Sequence, residues 1–126
     1  MRLAVLVAVL VAAAFLAFRW FTSGGDRVGP AEAVQAIEAG ALVVDARTAQ
    51  EYEGGHVAGA VHADVLDGSF RERVAALDRD RAVYVYCASG HRSGRAASIL
   101  EDMGFTQVVN AGGLRDLAAA GAEVER

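Results

Sequence analysis

Residues 82–93 read AVYVYCASGHRS, and this stretch decides the architecture. Ala82 to Tyr86 is rich in β-branched and aromatic residues and reads as a strand. Cys87 to Ser93 then leads into a helical pattern in which Ala96, Ile99, Leu100 and Met103 recur at i, i+3, i+4 and i+7. A strand, a short polar turn and a helix form the repeating step of a parallel α/β sheet. In such sheets ligands bind beyond the carboxyl ends of the strands. That is where Cys87, the chain's one cysteine, falls.

The same alternation extends in both directions. Pro30 suits the first position of a helix that Gly40 ends, with Val34 and Ile37 on one face. Ala41 to Val44 is a short apolar run suited to a strand covered on both sides. Thr48 and Glu51 have capping-box spacing, predicting a short helix that stops at Gly54-Gly55. Ala60 to Ala63 reads as another strand. Ser69 and Glu72 repeat the capping-box spacing ahead of Phe70, Val74 and Leu77. A last strand is expected at Thr106 to Val109 and a last helix at Leu114 to Ala120. The fold class that follows is α/β, a central mainly parallel sheet flanked by helices.

Composition divides the 126 residues into a leader and one domain. All of the first 21 residues except Arg2 and Arg19 are apolar, and Leu3 to Phe18 is an unbroken apolar run. As a helix that run covers about 24 Å of a hydrocarbon core of about 30 Å. Trp20 and Phe21 would extend it at the headgroup level. Residues 1–21 are therefore expected to be a hydrophobic leader, a membrane anchor through residues 3–21 in preference to a cleaved signal peptide. Residues 22–28 read as a linker and residues 29–126 as the domain. The domain is expected to face the periplasm or exterior; cleavage would leave it secreted or periplasmic. From Thr22 onward 10 Arg face 16 acidic residues, a net charge of −6, which argues against nucleic-acid binding.

One cysteine excludes an internal disulfide and a thiol-rich metal site. His56, His62 and His91 lack metal-ligand spacing, so no metal is expected. His56 reads as a satisfied structural histidine and His62 as sheet packing. Cys87 is read differently. Successive backbone amides at a helix N-terminus form a concavity for anions, and the same field favours thiolate over thiol. Gly90 permits a tight left-handed turn, while Arg92 is suited to binding an anionic substrate or supporting the loop. A lone cysteine after a strand is ordinarily a small core residue, but the Gly-His-Arg-Ser sequel and the helix favour a nucleophile.

These residues resemble the rhodanese (sulfurtransferase) homology domain in four separate pieces, in the family's order. They are Leu42 to Arg47 (LVVDAR), Glu51 to Ala60 (EYEGGHVAGA), the loop from Cys87 to Ser93, and Asn110 to Gly113 (NAGG). The resemblance runs from about Pro30 to the C-terminus and implies a small α/β domain with a central parallel sheet. It implies that Cys87 carries sulfur as a persulfide, taken from thiosulfate or a similar anionic donor and passed to cyanide or a thiol. Ala88, Ser89, Gly90, His91, Arg92 and Ser93 would then form the substrate-binding loop, and Asp45 and Arg47 would support it. No cofactor is implied. Two departures are Ala58, where the family usually has Pro, and Leu117, where it often has Trp.

Two rival classes share parts of this pattern. Cysteine-based phosphatases and arsenate reductases place five residues between Cys and Arg; here four, Ala88 to His91, give a smaller cradle. A catalytically idle partner-binding module is disfavoured by the presence of Cys87. A persulfide relay to a protein acceptor needs the same residues as the enzyme. With no second cysteine, the sulfur acceptor must come from outside the chain.

Overall fold

The computed structural model describes residues 26–126. The expected leader, and most of the expected linker, lie outside the described residues. Among the described residues no helix is long and apolar enough to cross a membrane.

Five parallel strands form the central sheet. They are β1 (Asp26–Arg27), β2 (Leu42–Asp45), β4 (Val61–His62), β5 (Val83–Cys87) and β6 (Val108–Gly113), in the order β1-β6-β5-β2-β4. A second, antiparallel pair joins β3 (His56–Val57) to β7 (Val124–Glu125). The helices are α1 (Pro30–Glu38), α2 (Ala49–Glu53), α3 (Phe70–Val74), α4 (His91–Asp102) and α5 (Leu114–Ala119).

Strand alternation builds two cores, one on each face of the sheet. Val44, Val83 and Val85 pack with Phe70, Val74 and Leu100 on the side of α3 and α4. Val43 and Tyr86 pack with Ala33, Val34 and Leu117 on the side of α1 and α5. β5 lies at the centre of the sheet, so both of its faces are covered before its last residue, Cys87, reaches the carboxyl edge.

Several local expectations differ from the structure. Asp26 and Arg27, read as linker, pair in parallel with Val109 and Asn110 and form an edge strand. The last sheet strand starts at Val108 rather than Thr106 and runs on to Gly113. Thr48 and Glu51 form the reciprocal capping box, but Ser69 does not cap α3. Its hydroxyl and amide both donate to the Asp67 carboxylate, which competes with the helix for the same groups. α4 begins at His91, within the Cys87–Ser93 stretch read as the turn before the helix, because Gly90 at φ 93° already turns the chain into the helix.

A buried polar network secures the base of β5. The Tyr86 hydroxyl donates to Asp45 Oδ2 at 2.6 Å and accepts from the Val57 amide at 3.0 Å. Arg47 grips the same Asp45 carboxylate at 2.7 Å and donates to the Gly55 carbonyl at 2.7 Å. Burial, with the neighbouring Asp45 charge, pushes the Tyr86 phenol well above its ordinary range, so it remains a donor. Tyr86→Phe leaves the Val57 amide and Asp45 short of a partner and is expected to cost about 1–3 kcal/mol. Urea unfolding at constant m-value measures this; an unchanged midpoint would mean the hydroxyl is dispensable.

Candidate active site

Cys87 closes β5 and Gly90 caps α4, so the loop between them is only two residues long, Ala88 and Ser89. Such a short connection is held by two glycines. Gly90 adopts a left-handed φ of 93° that L side chains rarely take. A Cβ on Gly113 would collide with the Ala88 carbonyl oxygen. That close approach follows from an irregularity in the β5–β6 pairing. Val85 faces Asn110 but Tyr86 faces Gly112, leaving Ala111 unpaired and aligning Gly113 with Cys87.

The thiol is buried and faces hydrogen-bond donors. The Gly90 amide donates to Cys87 Sγ at 3.0 Å, and the Ser93 hydroxyl lies 3.4 Å from the sulfur. Burial pushes the thiol pKa up as the largest single influence. The Ser93 hydroxyl and the amides of Ser93, Ser89 and Gly90 together outweigh it, and the net shift is downward. The start of a 12-residue helix adds its partial positive charge in the same direction.

Asn110, on β6, ties these parts together. Its Oδ1 accepts from the Ser93 hydroxyl at 2.7 Å and from the Gly112 amide at 3.0 Å, and its Nδ2 donates to the Gly90 carbonyl at 3.0 Å. Arg92 is committed elsewhere. It forms a bidentate pair with Glu51 at 2.7 and 2.9 Å. Glu51 in turn closes the α2 capping box, so one carboxylate links the start of α2 to the start of α4. Of the two roles expected for Arg92, supporting the loop is the one this geometry carries.

The other expected site residues divide. Ala88, Ser89 and His91 are exposed on the loop, and Ser93 is fully buried behind it. The side-chain hydrogen bonds of Asp45 and Arg47 go elsewhere than the loop. They brace Tyr86 and the Gly55–Val57 segment, one residue before the cysteine. His56 stacks on Tyr52 at 3.7 Å and donates from Nδ1 to the Tyr52 carbonyl. His62 donates from Nε2 to the Arg47 carbonyl at 2.7 Å.

Sequence spacing missed Arg27. Its guanidinium lies against the cysteine loop, so near that a Cβ on Gly90 would stand 2.7 Å from Nη2. Among the described residues it has no ion-pair partner. It borders a cleft of about 180 Å³ lined also by Val28, Pro30, Ser89, Gly112 and Asp116. The reading of this segment as linker hid it, because only its pairing with β6 brings it to the loop.

Fold and loop together define a small parallel α/β domain carrying a buried cysteine in a cradle of backbone amides. Residues 29–120 match the family described as Rhodanese-like domain, and the chain belongs to that family. It is 41% identical over 75 residues to thiosulfate sulfurtransferase PspE of Escherichia coli strain K12, covering 60% of this chain and 72% of that one. It is 36% identical over 87 residues to thiosulfate sulfurtransferase GlpE of Stutzerimonas stutzeri, covering 69% and 78%. A solved rhodanese with anions from E. coli is 35% identical with a TM-score of 0.58, over 68% of this chain and 96% of that one. A rhodanese-related protein from Thermoplasma volcanium is 28% identical with a TM-score of 0.68, over 79% and 97%.

The Glu51–Arg92 pair sets a pH dependence. The Arg92 guanidinium, opposed in part by burial and aided by the Thr48 bonds, holds the Glu51 carboxyl down at about 2 against an ordinary 4.5. A depressed carboxyl contributes stability that is complete above about 4.5 and is lost as pH falls toward 2. The Glu51 side chain is 33% exposed, so solvent screens part of that contribution. Wild type is expected to lose its stability advantage over Glu51→Gln across this window in acid denaturation. A constant difference from pH 7 to pH 2 would contradict the pairing.

Proposed function

We propose that this chain is a sulfurtransferase that takes sulfane sulfur from thiosulfate or a similar anionic donor and holds it on Cys87 as a persulfide. The observation that carries the reading is a buried thiol at the start of a helix, facing the Gly90 amide at 3.0 Å and the Ser93 hydroxyl at 3.4 Å. The family and the names of its relatives support the same reading.

In the first half-reaction the Cys87 thiolate attacks the outer sulfur of thiosulfate. A bond forms between Sγ and that sulfur, the donor's S–S bond breaks, and sulfite leaves with the electron pair. In the second, cyanide or a thiolate attacks the outer sulfur and the Sγ–S bond breaks. Thiocyanate or a new persulfide departs, and Cys87 is released as thiolate. Donors aimed at Sγ keep it ionised for attack in the first step, and in the second they stabilise the charge that returns to Sγ as the thiolate leaves. With Arg92 bound to Glu51, Arg27 beside Gly90 is the cation suited to receive the donor's sulfonate oxygens.

The short cradle of four residues between Cys87 and Arg92 suits a sulfur atom rather than a tetrahedral phosphate. A membrane-tethered relay passing its persulfide to a protein acceptor is the second reading, favoured by the apolar run of residues 3–18.

Thiosulfate:cyanide sulfurtransfer by the full chain is expected to yield thiocyanate and to vanish in Cys87→Ser. Mass spectrometry after donor alone is expected to show one added sulfur in wild type and none in the variant. A stable adduct without turnover would favour the relay, and neither signal across several donors would overturn both readings. Arg27→Gln is expected to raise the KM for thiosulfate about fivefold while leaving kcat near wild type. An unchanged KM would remove Arg27 from donor binding.

A further inference from the structure

The Ser93 hydroxyl has one hydrogen and two claimants. Asn110 Oδ1 lies 2.7 Å away and Cys87 Sγ 3.4 Å away. The orientation of the Asn110 amide is not free. Turning it over would set Nδ2 against the Gly112 amide and Oδ1 against the Gly90 carbonyl, opposing like groups at both ends. Oδ1 is therefore fixed as an acceptor facing Ser93. All three residues are buried, with Ser93 and Cys87 at 0% and Asn110 at 4% exposure.

With a neutral sulfur, the shorter oxygen–oxygen contact keeps the hydrogen on the Asn110 side. The Ser93 oxygen then offers the sulfur a lone pair rather than a hydrogen. Once the sulfur is charged, a hydrogen bond to an anion is about twice as strong as a neutral one, and the hydroxyl turns toward it. We propose that Asn110 is a positioning residue that withholds the Ser93 hydrogen from Cys87 while the sulfur is neutral and releases it when charge develops there.

Within the sulfurtransfer cycle, on whose reading this use of the device rests, the charge on Sγ changes at each step. It is present on the attacking thiolate and passes to the outer sulfur in the persulfide. It returns to Sγ when the acceptor breaks the Sγ–S bond. The hydroxyl follows: toward Cys87 in the thiolate, back to Asn110 in the persulfide, and toward Cys87 again as it leaves. The Gly90 amide, a fixed donor, cannot distinguish these states; the Ser93–Asn110 pair can. No atom is transferred and only the O–H direction changes.

The test reads thiol ionisation without any sulfur donor, so it can fail independently of the sulfurtransferase reading. In the full chain Cys87 is the one cysteine, and the pH dependence of its alkylation by iodoacetamide reports its ionisation. Other titratable or charged side chains about the loop are His91 and Arg92 on α4, Glu51 on α2, Asp64 beyond β4, Asp45 on β2, Arg27 on β1 and Asp116 on α5. All are retained in Asn110→Ala, Ser93→Ala and the double variant.

Asn110→Ala frees the hydrogen for sulfur and is expected to lower the midpoint by about half to one pH unit. Ser93→Ala is expected to raise it. Adding Asn110→Ala to Ser93→Ala is expected to change nothing further, because the effect acts through the hydroxyl. A raised midpoint in Asn110→Ala, or the same shift with and without Ser93, would reduce Asn110 to a brace for the loop and overturn the proposal. Should Asn110→Ala fail to fold, NMR of the unsubstituted chain decides. The Asn110 side-chain amide is expected to shift with Cys87 ionisation, and not to shift in Ser93→Ala. Insensitivity of that resonance in wild type would contradict the device.

Discussion

A hydrogen bond from the Gly90 amide to the Cys87 sulfur, 3.0 Å long, is the interaction around which the molecule is arranged. A buried thiol by itself resists ionisation, because charge is costly away from water. Offsetting that cost takes several donors aimed at one atom, and a chain can aim them only if it turns sharply. The two-residue loop, the left-handed Gly90 and the helix beginning at His91 accomplish the turn. Gly113 lets β6 approach the Ala88 carbonyl, where any side chain would push the loop away. The unpaired Ala111 is what sets Gly113 at that height.

Two supports hold this turn from opposite sides. On one, Glu51 uses a single carboxylate to cap α2 and to clamp Arg92 at the start of α4. On the other, Asn110 holds the Gly90 carbonyl and the Ser93 hydroxyl from β6. Below them, Asp45, Arg47 and Tyr86 anchor the strand that delivers the cysteine. These supports act at two depths. Asp45 and Arg47 secure the strand end and the Gly55–Val57 segment, while Glu51 and Asn110 secure the loop itself.

Legibility in the sequence tracked the range of the interaction. β2 and β5 were visible because both of their faces are buried, and α4 because its apolar residues keep helical spacing. The Cys87–Ser93 loop was visible because the amides that face its sulfur come from the loop's own backbone. β1, β3 and β7 were not, since Asp26–Arg27, His56–Val57 and Val124–Glu125 each owe their pairing to a partner more than 60 positions along the chain. The contrast between Thr48 and Ser69 is of the same kind. Both have capping-box spacing, but Asp67 takes the groups of Ser69, a competition the four-residue pattern does not contain. Arg27 was hidden in what read as linker, and the Glu51–Arg92 pair spans 41 positions. Asn110 was visible as part of a family motif, but its hold on Ser93 and Gly90 required the register of β5 against β6.

The central claim is that the cradle favours a charged sulfur in spite of burial. Absorbance near 240 nm rises with thiolate, and Cys87 is the sole cysteine, so the difference between pH titrations of wild type and Cys87→Ser, which cancels the tyrosines, reads this one group. The account predicts a midpoint below the ordinary thiol value of about 8.5. A midpoint at or above that value would mean that burial prevails over the amides and the hydroxyl, and would contradict the account.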